Sequence, residues 1–133
     1  MMYSNAAFKA AAFKAAAIAG VMLMAACAQD APGMDGSYQL LDIDGAAIPG
    51  TATMTIAGKA ISGQGPCNSY RTENRAAWPA VDLSPIASTR RACITEGGEG
   101  AFHAALGQVT AAERSADGLT LTGPEHTLRF SAE

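Results

Sequence analysis

Aromatic side chains are few: one tryptophan, three tyrosines and four phenylalanines in 133 residues. No apolar run approaches the roughly 20 residues that a membrane-spanning helix needs; the longest, Ala15 to Ala26, has 12. There are two histidines and three cysteines, and no cysteine pair has the short spacing of a zinc hook. Acids outnumber bases, for a formal net charge of −3. The lack of a basic patch and of an aromatic-rich run argues against nucleic-acid binding. The acids are scattered through turns and strand ends, so no sequence-adjacent pair points to general acid–base work.

What is present begins at the amino terminus. Lys9 and Lys14, with no acid among them, precede the apolar stretch, which ends in Leu23-Met24-Ala25-Ala26-Cys27. A basic start, a short apolar core and two small residues before a cysteine form a bacterial lipoprotein signal. Met24 stands three places before Cys27, where such signals usually carry Leu. On this reading residues 1–26 are removed and Cys27 is acylated. An ordinary cleaved signal and an uncleaved anchor are the alternatives. An amphipathic surface helix is a third, but Lys9 and Lys14 define no clean polar face. The repeated Ala-Ala-Phe-Lys-Ala lies within the discarded segment. The second mature residue is Ala28 rather than Asp, which by the lipoprotein sorting rule favours the outer membrane, facing the periplasm.

Removal of 26 residues leaves 107, one domain with a single modest core. Both removed charges are lysines, so the mature chain sets Lys59 and six arginines against 12 acids, a net charge of −5. Residues 27–35, broken by Pro32 and Gly33, read as a tether, with the domain at 36–131. With Cys27 acylated, Cys67 and Cys93 remain, an even pair in an oxidising compartment. A bridge between them would close a 27-residue loop, stabilising the fold by about 3.5 kcal/mol on the chain-entropy model.

Along the domain, Gly36–Ile43 reads as a first strand and Thr51–Ile56 as a second. Gly58-Lys59 turns the chain into a hairpin with Ala60–Ser62. Gly63–Asn68 is a loop by composition. Val81–Ile86 alternates as a short strand. From Thr95 to Glu113, apolar residues at Ala101, Phe102, Ala105, Leu106 and Val109 predict an amphipathic helix. Thr95 is its candidate cap and Glu96 and Glu99 its acidic first turn; three nearby glycines allow a start nearer Glu99. Leu119–Thr122 and His126–Phe130, joined by Gly123-Pro124-Glu125, form the clearest hairpin. The expected fold is α+β and β-rich: an antiparallel meander, partly open and barrel-like, packed on one helix.

Two segments together resemble a known family. Ile61-Ser62-Gly63-Gln64-Gly65-Pro66-Cys67-Asn68-Ser69-Tyr70 is similar to the SGxxGCNxY segment of the META domain, also called HslJ-like. Leu83–Cys93 is similar to that family's following L…I…TxxAC segment. A helix with an F…L..V pattern and a final hairpin come next in the family order, so the resemblance covers about Gly36 to Phe130. It departs at Pro66, where the family commonly has Gly, and after Tyr70, where the usual Gly is lacking. The resemblance implies a compact β-rich fold with one helix, frequent in secreted or lipid-anchored proteins. The family has no agreed enzymatic activity, and some members are linked to heat shock or to antibiotic or envelope stress.

Each candidate residue also has a structural reading. Gly63-Gln64-Gly65 lacks the third glycine and following helix of a dinucleotide site, and reads as a turn needing positive φ. Cys67 and Cys93 form a structural disulfide, remain free thiols, or serve as nucleophile or metal ligands with His103 and His126. Asn68 caps loop N–H groups or contacts a ligand. Tyr70 and Trp78 are core or rim residues, or mark a binding surface. Arg90 and Arg91 are solvated, or bind an acidic partner or phospholipid headgroup. The sequence therefore predicts a non-enzymatic envelope lipoprotein, without metal or cofactor. It would be held to the membrane at Cys27 and bind a protein or small ligand through Asn68, Tyr70, Trp78, Arg90 and Arg91. A small thiol-dependent or hydrolytic enzyme using Cys67, or a purely structural lipoprotein, is the alternative.

Overall fold

The computed structural model describes residues 33–92 and 97–133. Cys27, residues 1–26 with the expected signal, Cys93, Thr95 and Glu96 lie outside the described residues. Eight strands form one antiparallel sheet: β1 (Gly36–Ile43), β2 (Thr53–Ala57), β3 (Ala60–Gln64), β4 (Ser69–Glu73), β5 (Ala87–Ser88), β6 (Ala111–Arg114), β7 (Gly118–Thr122) and β8 (Thr127–Ala132). Their order across the sheet is β5-β4-β3-β2-β1-β8-β7-β6. The single helix among the described residues, α1 (Gly98–Leu106), comes between β5 and β6 in the chain.

The first and last strands lie side by side in mid-sheet, as β1 pairs β8 from Tyr38↔Ala132 to Ile43↔Leu128. A register shift between Leu40 and Asp42 leaves Leu41 as the one exposed large apolar side chain among the described residues. It also sets Asp42 against Arg129, whose hydrogen bonds hold the Asp42 carboxyl below its usual pKa. Tyr38, Met54, Ile61, Tyr70, Leu119, Leu121, Leu128 and Phe130 face one core, to which α1 adds Phe102, Ala105 and Leu106. At 25 cal/mol per Å², burying each such side chain stabilises the fold by about 2 kcal/mol.

The helix is shorter than its periodicity suggests. It ends at Leu106, because Gln108 turns back on it: its side-chain N–H donates to the carbonyls of Ala105 (2.7 Å) and His126 (3.3 Å). The Gln108 Oε1 accepts from the N–H groups of Glu125 and His126, which pins the last hairpin turn. Val109 remains buried beyond the helix. Residues 111–113, expected to be helical, pair with β7 instead, as part of β6. Ladder partners supplied by the fold outweigh the weak helix preference of this short stretch. The N-cap position is Gly97, at φ 92°, with no side-chain cap hydrogen bond.

Two other expectations change. Gly63 and Gln64 belong to β3 rather than to the loop, and Ser69–Glu73, where no element was expected, is a strand, β4. Residues 81–86 are not a strand, although Val81 and Leu83 are buried in alternation with exposed Asp82 and Ser84. Their backbone groups find partners outside a ladder. Val81 donates to the Thr110 carbonyl at 2.9 Å. The Leu83 and Pro85 carbonyls accept from the Thr72 hydroxyl at 2.6 and 2.9 Å. The strand in this region is the two-residue β5 just beyond, paired to β4 through Tyr70↔Ser88 and Arg71↔Ala87.

Asn74 organises this irregular stretch. It is fully buried, and its Oδ1 accepts from the N–H groups of Ala76 (3.1 Å) and Asp82 (2.8 Å). Its Nδ2 donates to the Ala80 carbonyl at 2.9 Å. The chain so held lies along the outer side of β6, where Ala80 bridges Ala111. Among the described residues, β5 has no strand on its outer side. Asn74→Ala strands two N–H groups and a carbonyl away from water. We expect a loss of about 3 kcal/mol, read as a lower urea midpoint at unchanged m-value.

Candidate functional site

The loop between β3 and β4 is bound to the first turn of α1 by a single carboxylate. Glu99 Oε1 accepts from the N–H groups of Cys67 (3.0 Å) and Asn68 (3.3 Å). Its Oε2 meets His103 Nε2, one helical turn on, at 3.1 Å. Burial works to raise the Glu99 pKa, but the hydrogen bonds from Cys67 and Asn68, with His103 beside them, hold it below its ordinary value.

Asn68, itself buried, carries the linkage onward. Its Oδ1 accepts from the Thr89 hydroxyl at 2.9 Å and from the Arg91 N–H at 2.6 Å. Arg91 returns a bond from its guanidinium to the Cys67 carbonyl at 2.9 Å. Cys67 Sγ lies 3.6 Å from the Arg91 carbonyl. Helix, loop and the segment after β5 thus meet at residues 67–68.

Two glycines of the loop motif are required for space. A side chain at Gly63 would stand 2.1 Å from the Thr53 carbonyl oxygen and 2.9 Å from the Tyr70 hydroxyl. One at Gly65 would stand 2.6 Å from Glu99 Oε1. Neither residue has a positive φ, so the expected left-handed turn is replaced by close approach of neighbouring groups. Tyr70 is buried, donates to the Thr53 carbonyl at 2.7 Å and meets the Phe102 ring edge-on at 5.4 Å. Burial pushes its hydroxyl pKa up.

The five residues singled out from sequence do not form one cluster. Asn68 and Arg91 touch directly, with Tyr70 two residues along β4. Trp78 is half-buried against the core, and its indole N–H donates to the Gly58 carbonyl at 3.0 Å, in the β2–β3 turn. Arg90 is exposed and makes no hydrogen bond or ion pair among the described residues. Arg71, not singled out from sequence, is also exposed and without a partner among them. The strand alternation of β4, once recognised, would have placed it outward. His126 pairs with Asp44 at 2.6 Å, and this bond holds the Asp44 carboxyl below its usual pKa. No group of three metal-ligating side chains occurs among the described residues.

A family model of the META domain matches residues 31–133. The chain belongs to the META domain family. Among solved structures, the META domain is similar to a protein from Burkholderia xenovorans determined by NMR. That likeness has 22% identity and a TM-score of 0.62, covering 85% of this chain and 99% of the other. A second NMR structure is 18% identical with a TM-score of 0.59, covering 74% of this chain and 90% of the other. At these identities the likeness establishes the fold. No curated protein matches the chain.

The Glu99 linkage has a pH signature. Its folded pKa lies below the ordinary 4.5, so the ionised carboxyl stabilises the fold at neutral pH. That contribution is lost as pH falls through 4.5 towards the folded value. Glu99→Gln is expected to cost about 2 kcal/mol at pH 7. In urea unfolding, the gap between the two proteins should narrow as the pH drops below about 4. A gap independent of pH would show that the charge is not what holds the loop.

Proposed function

We propose that this protein is a non-enzymatic, lipid-anchored module of the bacterial cell envelope, whose META domain binds a partner, in a stress-related role. The anchor is Cys27, the membrane the outer one, and the domain faces the periplasm. The observation that carries the binding reading is Arg90: an exposed guanidinium with no partner among the described residues, on the segment that follows β5, the strand paired with β4 and its exposed Arg71. The polar groups of the SGxxGCNxY motif support a structural use of that motif. Glu99 and Asn68 direct their oxygens at the protein's own backbone. His103 meets Glu99. No helix among the described residues is long and apolar enough to cross a membrane. Membrane attachment in this reading rests on the acyl group at Cys27.

A Cys67–Cys93 disulfide belongs to the same reading. It is supported by the closeness of Cys67 Sγ to the Arg91 carbonyl, two residues before Cys93 in the chain. Intact mass of the membrane-extracted protein, alkylated before and after reduction, tests both points. The expected product begins at an acylated Cys27, with Cys67 and Cys93 alkylated only after reduction. An unmodified Cys27 would sink the anchor. Alkylation without reduction would sink the disulfide and make Cys67→Ser the next variant to assay.

A further inference from the structure

The open edge of the sheet carries an inference about the partner, resting on the reading of the META domain as a binding module. Beyond β4, the chain runs on past Ser88 in register. Thr89 donates its N–H to the Ser69 carbonyl at 3.0 Å. Arg91 donates its own to Asn68 Oδ1 at 2.6 Å, the side chain standing in for the next rung of the ladder. Residues 89 and 91 therefore turn their N–H groups towards β4. The alternation of an antiparallel ladder turns those of Ser88 and Arg90 outward. Neither outward N–H has a partner among the described residues. The opposite edge differs, because Ala80 bridges β6.

Charge distinguishes this edge as well. Arg71 lies on the outer face of β4, in the cross-strand row Ser62–Arg71–Ala87. Ala87, the last residue of that row, is too small to cover the guanidinium. A depression of about 330 Å³, lined by Ser69, Arg71, Ala87, Ser88 and Thr89, opens beside it. A carboxylate on an added strand opposite Ala87 would extend the same row and reach Arg71 over the alanine methyl. Arg90 is out of phase with Ala87 in the alternation, so it offers a second cation on the other face. In a mature chain of net charge −5, an acidic segment is repelled elsewhere and directed here.

We propose that the β5 edge takes up an extended acidic segment of a partner protein as a ninth strand. Backbone N–H groups supply register, and Arg71 and Arg90 select carboxylates on either face. The exposed pair of outward amides favours a peptide over a lipid surface, which would engage the guanidiniums and leave the amides exchanging.

The test is amide exchange of the full-length protein in neutral detergent, titrated with a short peptide repeating Glu-Glu-Val, whose carboxylates fall on both faces of an extended strand. Exchange at Ser88 and Arg90 should slow by at least about tenfold on binding. Arg71→Ala should weaken binding by about tenfold, with the fold unchanged. The same peptide N-methylated at every residue, so that neither edge can pair, should not bind, and a lysine–valine peptide should not bind. Equal binding of the N-methylated peptide would overturn strand addition, since charge alone would then suffice. Absence of protection would overturn it, as would protection by phosphatidylglycerol vesicles without protection by the peptide. Protection of the same amides by self-association without peptide would assign the edge to a second copy and overturn the proposal too. Acylation of Cys27 is read independently by mass. A failed titration with the anchor present therefore overturns the partner class and leaves the envelope assignment standing.

Discussion

The Glu99 carboxylate is the contact on which the surrounding structure turns. It lies in the first turn of α1, yet its hydrogen bonds go to backbone N–H groups of the β3–β4 loop, 31 and 32 residues earlier in the chain. Through Asn68 the same linkage reaches Thr89 and Arg91, and so the outermost strand. A charged acceptor receiving several N–H donors in a partly dry site is stronger than a neutral one. Without it, two N–H groups beside the half-buried Cys67 would face protein with no acceptor. The absence of a side chain at Gly65 follows from this, because a methyl group there would stand 2.6 Å from the carboxylate oxygen and displace it.

Side chains replace ladder bonds in several places. Asn68 continues the β4–β5 pairing, Thr72 holds the carbonyls of residues 83 and 85, and Asn74 folds residues 74–82 against β6. Gln108 does the same between α1 and the β7–β8 turn. A domain with few aromatics and a modest core depends on this, since each buried backbone group left without a partner costs as much as a sizeable apolar contact contributes. The amino-terminal entry follows the same pattern. Arg114 donates to the carbonyls of Gly33 and Asp35 and to the Tyr38 hydroxyl, while Asp35 accepts from the Gly58 N–H.

The parts legible in the sequence were those whose pattern is local. β1 occupies Gly36–Ile43 as its composition predicts. The β2–β3 turn at Gly58-Lys59 and the β7–β8 hairpin arise from short-range turn chemistry and alternation. The parts that were not legible share one cause. Val81 and Leu83 alternate as strand residues do, but the backbone between them bonds to Asn74, Thr72 and Thr110, residues no local pattern connects to them. Ala111–Glu113 falls within the stretch read as helix, but Gln108 has already closed the helix and β7 offers a ladder. Of the site residues, Arg90 lay in a motif visible in sequence. Arg71 was hidden because no strand was read at Ser69–Glu73, and the linkage through Glu99 because the N–H groups that donate to its carboxylate lie in a distant loop.

By itself, the sequence determined the fold class, the β-rich order ending in a hairpin, and membership of the META domain family. These follow from hydrophobic period, turn residues and the SGxxGCNxY segment, all properties of neighbouring residues. Only the tertiary structure decided that Asn68 and Tyr70 are interior residues, that Gly63 and Gly65 serve close approach rather than backbone conformation, and that Arg71 and Arg90 border the edge of the sheet that has no further strand among the described residues. Burial, hydrogen-bond satisfaction and exposed edges depend on which distant segments meet, and chain pairing over tens of residues is set by the whole core rather than by any local pattern.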